Sequence, residues 1–156
     1  MVDSPAMNAP PVRVVDVLSG LLDAERNNII RFMGEGSPYL SRATVEIRRP
    51  LQEMVDANAR HVRELGELII SLGGNPPPFS PVQSEEQYLA FLSLQFLLPK
   101  LVHTKQLTIT RYENALAALE DAPPEVTELL RSHLAEHREQ LKVLEKTAAE
   151  VIAKAK

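Results

Sequence analysis

Apolar side chains recur every three or four residues through most of the chain, and clusters of proline and glycine separate the periodic stretches. This period places apolar side chains along one face of a helix. The pattern predicts four helices, over about residues 12–33, 38–72, 84–120 and 124–153. We expect Pro50 to kink the second helix, and Pro99 either to kink the third helix or to begin a new one.

The connections between these helices predict how they are arranged. Residues 34–38 form a short break, in which Ser37 is suited to cap the second helix and Pro38 to begin it. Gly73 and Gly74 are suited to end that helix. Residues 75–83 are rich in proline, and at polyproline rise they would span on the order of 28 Å. Helices joined by short, long and short connections indicate an all-α four-helix bundle with a long crossover between the second and third helices.

Length, charge and cysteine content narrow the class of protein. With 156 residues, the chain is expected to form a disordered tail over 1–11 and one domain over 12–156. A net charge of −4 argues against a nucleic-acid partner. The absence of cysteine excludes disulfides and thiolate metal sites. Lacking a signal sequence or an apolar run of membrane-spanning length, the chain is expected to be a cytoplasmic, bacterial protein without a membrane partner.

Polar residues interrupt the apolar faces at similar places in both halves of the chain. Glu25 and His61 lie on the inner faces of the first two helices, and Lys105 and His137 on those of the last two. Asn58 continues the inner face of the second helix. These five side chains are predicted to meet in the centre of the bundle, with His133 and Tyr112 bordering them. His103 is expected to face outward.

Two segments carry a resemblance to a known superfamily. Asn58-Ala-Arg-His61 and Leu134-Ala-Glu-His137 lie where ferritin-like proteins such as bacterioferritins and rubrerythrins carry Glu-x-x-His, and the segment 61–76 resembles the end of their second helix. The resemblance implies a ferritin-like four-helix bundle. It also implies that Glu25, His61 and His137 occupy metal-ligand positions. Asn58, Lys105 and Leu134 stand where the superfamily has glutamate.

These departures leave two interpretations of the centre. Two divalent ions need several carboxylates for charge balance, so a di-iron ferroxidase site is not expected here. In the first interpretation no cofactor is bound, and Lys105 pairs with Glu25 in a buried network completed by Asn58, His61 and His137. In the second, Glu25, His61 and His137 hold a single Fe, Mn or Zn ion, with a possible redox or stress-related role.

The first interpretation makes the protein a non-catalytic bundle that acts through self-association or a protein partner. Residues 89–98 carry more apolar side chains than one core stripe can bury, which would be explained by a homodimer or by coverage from the crossover. Ferritin-like proteins commonly associate, so the resemblance favours the homodimer. A phosphate-binding glycine loop, a catalytic cysteine and a serine elbow are all missing from the sequence, so conventional enzyme chemistry is not expected.

Overall fold

The structure, a computed structural model, describes residues 4–30, 45–79 and 94–155. Within these ranges the chain forms four long helices and no strand. They are α1 (Ser4–Arg26), α2 (Val45–Ser71), α3 (Leu94–Ala118) and α4 (Pro124–Ala155). The predicted all-α class is therefore confirmed. The expected break at 34–38 and the expected helix start at Ser84 lie outside the described residues.

The helices pack as a bundle in the order α1, α2, α4, α3 around its axis. The closest packing is between α3 and α4 and between α1 and α2, and contacts of α2 with α4 and of α1 with α3 close the ring. Because α2 and α3 lie diagonally opposite, the connection between them is a crossover and not a hairpin. Residues 75–79, the described part of that connection, are irregular.

The predicted limits of the first helix are wrong at both ends. Helix α1 begins at Ser4 and so takes in most of the segment predicted as a disordered tail. Ser4 followed by Pro5 is itself a helix-start pattern. Helix α1 ends at Arg26 instead of Met33, and residues 29–30 are helical again after a break at 27–28. Side-chain amides add hydrogen bonds to its last carbonyls: Asn27 Nδ2 donates to the carbonyl of Asp23 (3.1 Å), which also accepts from the Asn27 N–H (3.0 Å), and Asn28 Nδ2 donates to that of Ala24 (3.3 Å).

Pro50 and Pro99 both lie inside helices, and a glycine ends α2. Pro50 lies within α2 and Pro99 within α3, so Pro99 does not begin a new helix. At the end of α2 the N–H of Gly74 donates to the carbonyl of Ile69 (3.0 Å) and that of Gly73 to the carbonyl of Ile70 (3.0 Å). Gly73 has φ of 85°, a left-handed conformation suited to glycine. The predicted glycine cap is confirmed.

The apolar core is divided into two clusters. One contains Leu18, Leu22, Leu65, Ile69 and Leu130, and the other contains Ile29, Leu51, Leu97, Leu101 and Leu144. Along the helices, Glu25, Asn58, His61, Lys105 and His137 lie between these two sets of positions. The described helices include none that is both long and apolar enough to span a membrane.

Candidate metal centre

A layer of buried polar side chains separates the two apolar clusters, and we call it the polar layer. Its members are at most 6% exposed. They are Glu25 from α1, Asn58 and His61 from α2, Lys105 and Tyr112 from α3, and His133 and His137 from α4. All five residues predicted for the centre are in this layer. His133 and Tyr112, predicted to border it, are full members, and His103 is exposed as expected.

The carboxylate of Glu25 lies at the centre of the polar layer. Its Oε2 atom is 3.0 Å from His61 Nδ1 and 2.8 Å from His137 Nε2, and it accepts a hydrogen bond of 2.7 Å from the hydroxyl of Tyr112. Its Oε1 atom accepts one of 3.1 Å from Asn58 Nδ2. A carboxylate has about four acceptor sites, so Glu25 is fully satisfied by groups from the three other helices.

Asn58 also fixes the place where α1 ends. Its Nδ2 donates to the main-chain carbonyl of Glu25 at 2.8 Å. That carbonyl is one of the last in α1, and it also accepts from Asn28 Nδ2 at 3.3 Å. The asparagine that replaces the expected glutamate therefore holds both the side chain and the backbone of Glu25.

Lys105 reaches Glu25 only through His137. Its Nζ atom is 3.0 Å from His137 Nδ1 and donates to Gln140 Oε1 at 2.7 Å. The expectation that Lys105 pairs directly with Glu25 is therefore wrong, because the imidazole of His137 lies between them. Since an ammonium group only donates, His137 Nδ1 accepts, and the ring proton of a neutral His137 lies on Nε2, facing Glu25.

Two glutamates at the edge of the layer, Glu64 and Glu136, were not among the residues predicted from the sequence. His133 Nε2 is 2.9 Å from Glu64 Oε1, and His61 Nε2 is 2.7 Å from Glu136 Oε1. His61 of α2 thus meets a carboxylate of α4, and His133 of α4 meets a carboxylate of α2. The signal that could have found these residues is a repeated His-x-x-Glu, at 61–64 and again at 133–136, which reverses the Glu-x-x-His order.

Arg60 lies against both edge carboxylates. Its Nη2 donates to Glu136 Oε1, and its Nε is 3.7 Å from Glu64 Oε1. Beside it, between α2 and α4, is a groove of about 550 Å³ whose lining includes Arg60, Glu136 and Gln140. Since Glu136 contacts His61 and Gln140 contacts Lys105, the polar layer lies one side chain away from this groove.

Burial and hydrogen bonding set the ionisation of the layer. Burial raises the pKa of Glu25, but its hydrogen bonds with His137 and His61 outweigh burial and hold the pKa well below the usual range. Burial lowers the pKa of Lys105 to about 8 and that of His137 to about 4. At neutral pH, Glu25 is therefore a carboxylate, Lys105 is mainly an ammonium group and His137 is neutral.

His133 keeps one ring nitrogen available as an electron-pair donor. Burial, followed by the charge of His61, lowers its pKa, so at neutral pH the ring carries a single proton. Glu64 accepts at Nε2 and holds that proton there, which leaves Nδ1 unprotonated, 3.1 Å from the hydroxyl of Tyr112. Burial raises the pKa of Tyr112 well above its usual value, so the phenol stays neutral.

Three residues of the polar layer are close enough to share a metal ion. Glu25, His61 and His133 each offer a ligand atom, and these atoms lie within 4.8 Å of one another. One carboxylate oxygen and two imidazole nitrogens form a donor set that suits Fe, Mn or Zn. The group includes two of the three ligands predicted from the sequence and has His133 where His137 was predicted.

Comparison with known proteins adds information about the fold. No protein-family model matches the chain, and no curated protein matches it in sequence. Among solved structures, the chain is similar to a ferritin-like, diiron-carboxylate protein from Bacillus anthracis str. Ames, with 18% sequence identity and a TM-score of 0.66. The match covers 91% of this chain and 99% of that chain. The bundle therefore has the ferritin-like fold that the sequence resemblance implied.

Proposed function

We propose that this ferritin-like bundle binds a single divalent transition-metal ion through Glu25, His61 and His133. The observation that carries the proposal is the convergence of these three buried ligand atoms within 4.8 Å. Glu25 would supply negative charge, and the two imidazoles would supply neutral nitrogen donors. A bound ion of this kind supplies Lewis acidity or, for iron and manganese, one-electron redox chemistry.

The contacts of His137 favour His133 as the third ligand. Lys105 donates to His137 Nδ1, and the other ring nitrogen carries the proton that faces Glu25. Neither nitrogen therefore offers a lone pair to an ion. His133 Nδ1 does, because Glu64 holds the ring proton on Nε2. In this arrangement His137 serves to orient Glu25.

The donor set favours one ion over a di-iron pair. Glu25 is the only carboxylate among the members of the polar layer, whereas Glu64 and Glu136 are directed at histidines and are about one-third exposed. Two divalent ions would bring four positive charges next to the buried ammonium group of Lys105. At 4 Å, even an effective dielectric constant near 20 makes each such repulsion cost about 4 kcal/mol per unit charge.

A metal-free network is the second candidate. It is favoured by the polar contacts of the layer, in which both ring nitrogens of His61, His133 and His137 lie within 3.1 Å of a polar atom. A buried network of this kind can serve the fold alone. The bundle would then act through self-association as a homodimer or through a protein partner.

Elemental analysis after incubation with Fe(II), Mn(II) or Zn(II), followed by removal of loose metal, tests the proposal. We expect about one ion per chain in the wild type, and loss of that ion in His61→Ala and His133→Ala. His137→Ala should keep the ion, as should the control His103→Ala, which changes an exposed histidine.

Each alternative predicts a different result. If His137→Ala loses the ion and His133→Ala keeps it, the ligand set expected from sequence is correct and the one proposed here is wrong. If the folded wild type takes up no ion, the metal-free network is the better description.

A further inference from the structure

The two edge carboxylates occupy equivalent positions relative to the two proposed ligand imidazoles. Glu136 lies 2.7 Å from His61 Nε2, and Glu64 lies 2.9 Å from His133 Nε2. In both cases the carboxylate faces Nε2, and it comes from the other helix of the neighbouring pair α2 and α4. The arrangement is the same twice, although α2 and α4 are not adjacent in sequence.

We propose that Glu64 and Glu136 are positioning residues for the metal ion. We further propose that Arg60 weakens metal binding, because its guanidinium competes with the two imidazoles for both carboxylates. The inference rests on the proposed function. A histidine that donates one ring N–H to a carboxylate has its tautomer and orientation fixed, and its other nitrogen becomes a stronger ligand. Here that other nitrogen is Nδ1 in both rings. In His61 it lies 3.0 Å from Glu25 Oε2, where a bound ion would replace the shared proton, and in His133 it lies 3.1 Å from the hydroxyl of Tyr112.

Arg60 acts on both carboxylates at once. Its guanidinium donates to Glu136 Oε1, the same atom that faces His61, and its Nε is 3.7 Å from Glu64 Oε1, the same atom that faces His133. A carboxylate that shares its charge with a guanidinium accepts less strongly from an imidazole. Removing Arg60 should therefore strengthen both carboxylate–imidazole hydrogen bonds and with them the two nitrogen ligands.

Titration of the full chain with Co(II) under anaerobic conditions measures affinity and ligand geometry together. Glu64→Gln and Glu136→Gln should each weaken Co(II) binding by roughly 10- to 100-fold and shift the visible absorption bands of the bound ion. The corresponding alanine variants should weaken binding further, since glutamine keeps an acceptor oxygen. Arg60→Met should tighten binding by roughly 2- to 5-fold, in keeping with an exposed ion pair of modest strength.

Two matched controls lie in the same groove. Arg63→Met removes an exposed arginine from the same helix, and Glu139→Gln removes an exposed glutamate one turn beyond Glu136. Both should leave affinity and spectrum unchanged. A loss of folding would weaken binding in every variant, so the tighter binding expected of Arg60→Met separates positioning from stability.

The outcomes distinguish this inference from the proposed function. A wild type that binds no Co(II), Fe(II), Mn(II) or Zn(II) contradicts the proposed function itself. A wild type that binds Co(II), with Glu64→Gln and Glu136→Gln behaving like the controls, contradicts the positioning role. Arg60→Met binding no more tightly than Arg63→Met contradicts the role assigned to Arg60.

Discussion

Lys105 places an ammonium group in the interior, where burial lowers its pKa to about 8 despite the opposing charges of Glu25 and Glu136. In the metal-free protein, its nearest polar partners are His137 and Gln140. An ammonium group held by two neutral acceptors loses much of its hydration without gaining a direct counter-ion. Burial of the Lys105 ammonium group therefore lowers the stability of the fold.

This burial predicts an unusual dependence of stability on pH. An unfolded lysine has a pKa near 10.5, so between pH 8 and that value the unfolded chain binds more protons than the native chain. The free energy of unfolding should therefore rise with pH, by about 2 kcal/mol between pH 8 and pH 10. Above about pH 10 the raised pKa of Tyr112 acts in the opposite direction, since tyrosine then ionises first in the unfolded chain.

Urea unfolding of the wild type and of Lys105→Met across pH 7.5–10 tests this prediction. The methionine variant should be the more stable protein near pH 8 and should lack the rise. Parallel pH profiles for the two proteins would show that Lys105 does not titrate as its burial implies.

At the scale of residues, sequence alone locates the polar layer better than it assigns its contacts. Glu25, Asn58, His61, Lys105 and His137 could be placed together because each interrupts an apolar face at a known helical position. Helical period does not say which ring nitrogen faces which partner. It therefore could not show that His137 lies between Lys105 and Glu25, or that Glu64 and Glu136 contact histidines of the neighbouring helix.

Two glycines, one inside a helix and one at a helix end, should respond in opposite directions to substitution by alanine. Gly20 lies inside α1 with no atom within 4 Å of an added Cβ, whereas Gly73 ends α2 with φ of 85°. Gly20→Ala should raise the free energy of unfolding by about 0.5–1 kcal/mol, because alanine has the higher helix propensity. Gly73→Ala should lower it by about 1 kcal/mol or more, because a side chain is strained in the left-handed conformation.

Urea unfolding at pH 7 checks both substitutions, each serving as the control for the other. A shift in the same direction for the two variants would contradict the assignment of one glycine to a helix interior and the other to a cap.

Helix limits could be predicted where a strong local sequence pattern marks them, but not where side-chain hydrogen bonds determine the end of the helix. The start of α4 at Pro124 was predicted correctly, since a pair of prolines marks it. The end of α1 was missed because side-chain amides of Asn27, Asn28 and Asn58 bind the carbonyls of its last turn. The Asn58 contribution depends on tertiary packing, which local pattern cannot reveal.

For the whole molecule, a bound ion should be visible as added stability. A ligand that binds only the native state stabilises it by about 2.7 kcal/mol when its free concentration is 100 times the dissociation constant. Zn(II) at that excess should therefore raise the free energy of unfolding of the wild type by about this amount, as measured by urea denaturation. His133→Ala should show no such increase. Equal shifts in both proteins would indicate that Zn(II) acts elsewhere on the chain.

The crossed pairing of His61 with Glu136 and of His133 with Glu64 also has a consequence for assembly of the bundle. Leucine-lined helices can slide by one turn, about 5.4 Å, and still bury comparable apolar surface. A slide of α4 along α2 by that distance would separate both pairs and leave two buried imidazoles without acceptors. The two pairs therefore favour a single axial alignment of α2 and α4, whether or not an ion binds between the helices.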